Sequence, residues 1–203
     1  VMEVSSQAYK TKRVFGLTFD LGIFLNISPD HISPIEHETF EEYFLCKQEL
    51  LLHSKKMVMN HESDHFEVLE NLCQINHIPY LTYGGSAADY PVIAMDDPRT
   101  FELKSSTDPL AINGDYALTM FGHFNHENAA AALLATAWLE TPRNHMKESL
   151  SKCVIPGRMT LFDLPNGALA FVDFAHNYLS LLSMGQLAKE IRPHGKAIVM
   201  TGS

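Results

Sequence analysis

Apolar positions along the chain follow two rhythms. Residues 2–4, 15–27, 56–60 and 78–83 are short runs with few polar interruptions, which predict strands, the second bent at Gly16 or Gly22. Helical spacing separates them. Ser5-Ser6 is placed to cap a helix over 7–13, and Thr39 to cap one whose apolar face carries Phe40, Tyr43, Phe44 and Leu51. Ser63-Asp64 is placed to cap a third, running to Cys73. Strand and helix in alternation predict an open parallel sheet with helical layers.

Between Gly84 and Gly122 the rhythm shortens to extended pieces over 91–95, 100–104 and 116–120, broken by Asp, Gly and Pro, which predicts antiparallel strands. An Ala-rich helix follows over 128–140, and Thr141-Pro142 opens another. Pro156-Gly157 reads as a hinge between domains. Beyond it, 160–162 and 168–172 pair across Pro165-Asn166-Gly167 as a hairpin, and 178–191 is an amphipathic helix. Both ends read as strands cut short: Val1-Met2-Glu3-Val4 begins in mid-strand, and 196–203 is an apolar run breaking into Gly-Ser. The expectation is a piece of a longer protein.

Composition narrows the function classes. Of 203 residues 46% are hydrophobic and 19% charged, enough apolar material to exclude disorder. The net charge of −9 offers no general attraction for nucleic acid or an anionic membrane. The longest apolar run, 129–135, is far short of the roughly 20 residues of a membrane span, so no membrane insertion is expected. Cys46, Cys73 and Cys153 are scattered without a CxxC, which argues against a zinc knuckle or disulfide framework and fits a reducing cytoplasm.

Several residues stand out chemically. Lys47 falls in the middle of the apolar face that carries Tyr43 and Leu51. A lysine there snorkels out, finds a carboxylate, or is chemically altered so that it is no longer a buried cation. Asp30-His31 closes one apolar run and Asp173-Phe174-Ala175-His176 another, and the carboxyl ends of strands are where open sheets bind ligands. His31 beside carboxylates could hold a divalent cation. Asn125 and Asn128 lie one helical turn apart, so their amides either bracket a planar ligand together or one of them caps the helix. Arg158, just after the hinge, suits a phosphate clamp or an interdomain salt bridge. No GxxxxGK[ST] phosphate loop occurs.

Taken in order, Glu3-Val4-Ser5-Ser6, Asn26-Ile27-Ser28-Pro29-Asp30-His31, Lys47, Phe124-Asn125-His126-Glu127-Asn128, Gly157-Arg158-Met159 and Asp173-Phe174-Ala175-His176-Asn177 resemble the Mur ligases. Within that family the likeness is to the enzymes that add the third amino acid of the peptidoglycan stem peptide. The resemblance implies an α/β fold: a mostly parallel sheet flanked by helices in a P-loop NTPase-like central domain over 1–155, with a small antiparallel sheet. Residues 156–203 would begin a Rossmann-like C-terminal domain. It implies Mg2+ held by Glu3, His31 and Lys47, the last as a carbamate. It implies ATP contacts from Asn128, Arg158, Asp173 and His176, with Arg158 and Lys47 in catalytic roles. Ser5 and Arg13 would touch the UDP-N-acetylmuramoyl-dipeptide, which is joined to a diamino acid, L-lysine or meso-diaminopimelate. No stable protein partner is implied. The chain departs from the family at Thr11, where an amide side chain is usual, and at Tyr178, where many relatives have Pro. Folylpolyglutamate synthase, which shares the ATPase core, and a non-catalytic nucleotide-binding module are the rival readings.

Overall fold

The computed structural model describes residues 1–29, 32–176 and 178–200, and of Leu179 the backbone alone. A six-stranded sheet in the order β1-β2-β3-β4-β5-β6 forms its centre, with a separate two-stranded hairpin near the C-terminus.

Strands β1 (Gly22–Phe24), β2 (Met57–Asn60) and β3 (Tyr80–Gly84) are parallel, in the register Ile23↔Val58↔Leu81. Helix α2 (Phe40–Leu52) connects the first two and α3 (Phe66–Ile75) the next two. β2 is buried along its whole length, and its alternation assigns each side chain to one of two cores. Met57 and Met59 pack with Tyr43, Phe44, Leu51, Leu69 and Cys73 of α2 and α3. Val58 points the other way, toward Ala130, Leu133 and Leu134 of α4 (His123–Trp138). Met57, Val58, Met59, Leu51 and Leu69 are wholly excluded from solvent, each stabilising the fold by about 2 kcal/mol. The run of alanines in α4 brings its backbone close to the sheet.

β4 (Tyr90–Ala94) follows β3 after only residues 85–89, too few for a crossover helix. It nonetheless runs parallel to β3, but through just two pairs, Tyr83↔Tyr90 and Gly84↔Pro91. β5 (Thr100–Leu103) and β6 (Gly114–Ala117) then add antiparallel. The antiparallel pieces expected after Gly84 thus extend the main sheet. The separate small antiparallel sheet is β7 (Thr160–Asp163) with β8 (Leu169–Val172). α5 (Arg143–Lys152) packs on β6 and α4, while Phe171 of β8 and Met184 and Leu187 of α6 (Tyr178–Ile191) pack with Met120, Phe121, Phe124 and Met159.

Five local expectations need correction. Residues 1–5 are not a strand; the first element is the short helix α1 (Ser6–Lys10), capped by Ser5, whose Oγ accepts from Ala8 N at 3.2 Å. The apolar run 15–27 yields only β1 and an isolated bridge, Phe19↔Ser54, and Leu17 and Leu25, outside β1, stay exposed. Ser63 does not cap α3: the helix starts at Phe66, after His65 in a left-handed conformation and without a side-chain cap. α4 begins five residues before the expected Asn128, since Gly122 with φ +98° turns the chain directly into it. Residues 196–200 form no strand, and 201–203, with which that expectation ended, lie outside the described residues.

Candidate functional site

A cleft of about 990 Å³ runs along β1, bounded by residues 1–7, by Lys47 and Leu50 of α2, and by Ala132, Ala135 and Thr136 of α4. Among the described residues β1 has no strand partner on that side. Glu3, Ser5 and Lys47, far apart in the chain, all line this cleft. Lys47 keeps to the apolar stripe but is only half-buried, its Nζ 5.7 Å from the centre of the Tyr43 ring. Its stem thus lies along α2, where the side chain forms part of the cleft wall. Arg13 is exposed and is not among the lining residues, and Asp30 and His31 lie outside the described residues.

A second group surrounds Phe174. The Arg158 guanidinium lies 5.2 Å from the Phe174 ring centre, and the His176 ring packs edge-on against the same ring at 5.2 Å. Asp173 is tied into the backbone, its carboxylate accepting from Met159 N and Ala175 N, both at 2.9 Å. Arg158 and His176 are exposed, as a group that meets a ligand must be. Asn128 stands exposed on α4. Its expected companion Asn125 does not join it: Asn125 is buried and its Nδ2 donates to Phe121 O at 2.7 Å, so it serves the helix start. His126 is likewise structural, stacked on Phe101 at 5.2 Å with Nε2 3.0 Å from Pro98 O.

A third group lies at the carboxyl ends of β2 and β3 and was not singled out from the sequence. Asn60 ends β2, and its Oδ1 accepts from Glu62 N at 2.9 Å. Glu62, His123 and Glu127 each bring a ligand atom within 4.8 Å of the others, His123 Nε2 being 3.5 Å from Glu127 Oε1. Burial pushes the Glu127 carboxyl above the ordinary carboxylate range, the nearby Glu62 adds to the rise, and His123 and the Asn60 amide oppose it. The strand-end rule applied to Asp30-His31 and Asp173 would also have found Glu62, and the four-residue spacing of His123 and Glu127 marks one helical face.

The Mur ligase middle domain model matches residues 1–136, two thirds of the chain. The chain belongs to the Mur ligase family. Curated relatives include the UDP-N-acetylmuramoyl-L-alanyl-D-glutamate–L-lysine ligase of Enterococcus faecalis, 44% identical, and the UDP-N-acetylmuramyl-tripeptide synthetase of Lactococcus lactis subsp. cremoris, 41% identical. Both matches cover all of this Mur ligase chain but only 41% and 40% of the relative, so it spans about two fifths of their length. Among solved structures, a UDP-N-acetylmuramoyl-L-alanyl-D-glutamate–2,6-diaminopimelate ligase superposes with a TM-score of 0.74 at 27% identity, over 92% of this chain and 39% of that one. A pseudomurein peptide ligase type C from Methanothermus fervidus shares the fold, with a TM-score of 0.70 at 21% identity over 95% of this chain and 45% of that one. Among the described residues no helix is long and apolar enough to cross a membrane.

Proposed function

We propose that this Mur ligase chain is the central part of an ATP-dependent, cytoplasmic enzyme that adds L-lysine to UDP-N-acetylmuramoyl-L-alanyl-D-glutamate as the third residue of the peptidoglycan peptide. The observation that carries this reading is the convergence of Glu3, Ser5 and Lys47 on one cleft. The names of the relatives at 41–44% identity support the substrate and favour lysine over diaminopimelate. In this reading the boundary of the central domain falls after residue 155, and β7, β8 and α6 open the next.

The residues suit the groups such a reaction requires. Glu3 offers a carboxylate oxygen to Mg2+, and Lys47 offers oxygen only as a carbamate, an anion that a half-buried position beside a cleft tolerates with a cation as counter-charge. His31 is assigned to the same ion. Asn128, Arg158, Asp173 and His176 are assigned to ATP, Ser5 and Arg13 to the sugar-nucleotide peptide. Bound Mg2+ would offset charge on the phosphate oxygens, and ATP would pass its terminal phosphoryl group to the substrate carboxylate, leaving ADP and an acyl phosphate that the incoming amine attacks with loss of phosphate and the amine proton. Arg158, whose guanidinium lies against the Phe174 ring, can turn its fixed positive charge toward the transferring phosphoryl group. The 203 residues carry no GxxxxGK[ST] run, so the chain alone is expected to be inactive.

The test is phosphate release by the longer protein with ATP, Mg2+ and UDP-N-acetylmuramoyl-L-alanyl-D-glutamate, comparing no addition, L-lysine and meso-diaminopimelate. Release that requires L-lysine is expected. Release with diaminopimelate alone overturns the acceptor, and no release from a folded protein overturns the ligase reading.

A further inference from the structure

We propose that Glu62, His123 and Glu127 form a site for one divalent transition-metal ion of the Zn2+, Mn2+ or Co2+ class, separate from the cleft that holds Glu3 and Lys47. None of the three residues lines that cleft, and the inference does not rest on the ligase reading.

Geometry makes the first argument. His123 Nε2 and Glu127 Oε1 are 3.5 Å apart, too far for a good N–H···O bond. The spacing is close to the about 3.4 Å that separates two ligands on a tetrahedral ion with bonds of about 2.1 Å. Both side chains rise from one face of α4, four residues apart, so the helix fixes their separation. Glu62 completes the set from the loop after β2, its carboxyl within hydrogen-bonding reach of Glu127. His123, at the rim, faces Glu127 alone among the ion pairs of the described residues.

Support from behind makes the second. Asn60 accepts from the Glu62 backbone with its Oδ1 and hydrogen-bonds Glu127 through its amide, so one buried side chain orients two of the three groups. The chain opposite is Gly84-Gly85. A Cβ at Gly85 would lie 2.6 Å from Glu62 Oε1, and one at Gly84 2.8 Å from Asn60 Oδ1. Absence of side chains on this turn is what lets the Glu62 carboxylate sit there.

The donor set names the metal class. One imidazole nitrogen with two carboxylates suits Zn2+, Mn2+ or Co2+, whereas Mg2+ and Ca2+ prefer oxygen throughout. Glu62 and His123 are exposed, so an ion held by three side chains would keep positions open to water or an anionic ligand, the arrangement of reactive sites rather than closed structural ones.

The test is titration of the EDTA-treated chain with Co2+, read by its visible ligand-field absorption, with Zn2+ and Mn2+ as competitors. One equivalent is expected to give an intense tetrahedral-type spectrum that Zn2+ abolishes. His123→Gln and Glu62→Gln, both at exposed positions, should each weaken binding tenfold or more with an unchanged circular dichroism spectrum, and Lys47→Ala should leave the signal in place. Absence of saturable Co2+ binding to the wild-type chain, or the same affinity and spectrum in both the His123 and Glu62 variants, overturns the site.

Discussion

Ser6 Oγ lies 2.8 Å from His37 Nε2, a buried hydrogen bond between residues 31 positions apart. His37 also packs its ring 5.4 Å from that of Tyr43, and its Nδ1 is 3.9 Å from Glu42. Lys10 adds an ion pair to Glu42 at 2.8 Å and donates to Glu36 O at 2.6 Å. These contacts clamp the start of α1 onto the start of α2. Since residues 1–7 form one wall of the cleft and α2 carries Lys47 on another, the clamp sets the spacing between Glu3, Ser5 and Lys47.

Replacing His37 by Ala should therefore loosen the cleft as well as the fold. The substitution removes a fully buried ring and leaves the Ser6 hydroxyl without that partner, a loss of about 3 kcal/mol. Ser6→Ala removes only the hydrogen bond and should cost about 1 kcal/mol. Urea denaturation followed by circular dichroism measures both, and equal losses for the two variants would show that the ring contributes nothing beyond the hydrogen bond.

Lys47 gives a prediction about activity. In the longer protein Lys47→Ala should abolish amino-acid-dependent phosphate release, and short carboxylates such as acetate should restore part of it by supplying the missing anion. Stability should change by less than about 1 kcal/mol, because the side chain is only half-buried. Full activity of Lys47→Ala without additive would rule out the carbamate.

The parallel half of the sheet was legible because β2 and β3 are buried on both faces, so their apolar runs stand out, and α2 announced itself through Thr39, whose Oγ1 accepts from Glu42 N at 3.2 Å. β1 was overread. Its neighbours Leu17 and Leu25 are apolar yet exposed, and a hydrophobic run cannot say which of its residues find a partner. The site was legible only as separate residues. That Glu3, Ser5 and Lys47 share a cleft depends on the His37 clamp, a contact across 31 positions that no local pattern reveals. Asn125 and Asn128 show the converse: helical spacing put them on neighbouring positions, but the buried amide was already committed to Phe121.

Cys73 carries a prediction about pH. It is fully buried beside Met59, and burial, with a smaller contribution from Glu70, pushes its thiol from about 9 up to about 11. An acid whose folded pKa is raised favours the folded state while protonated. The contribution is complete below about pH 9 and is lost as pH climbs through about 11. Between those values the wild-type chain should lose up to about 2 kcal/mol more than Cys73→Ala, in which the tyrosine titrations common to both cancel. Denaturation midpoints at pH 8, 9, 10 and 11 for the pair test this; parallel curves would mean that the thiol reaches solvent. In the folded chain at pH 8, Cys73 should also resist a disulfide-exchange reagent that labels Cys46 and Cys153, which are partly accessible.

The Gly84-Gly85 turn allows fold and metal site to be separated. Gly84 has φ +125°, a conformation side chains rarely adopt, and its Cβ would press on Asn60 Oδ1 inside the buried end of β2. Gly84→Ala should cost about 2 kcal/mol, with strain and contact acting together. At Gly85 the obstructing atom is Glu62 Oε1, the far end of an exposed, flexible side chain that can swing away at little cost. Gly85→Ala should thus change stability by no more than about 0.5 kcal/mol, yet displace the carboxylate and weaken Co2+ binding to the extent that Glu62→Gln does. Thermal melts and Co2+ titrations of the two variants side by side check this. A Gly85→Ala chain that keeps both its stability and its Co2+ affinity would show that Glu62 does not need that space to reach the ion.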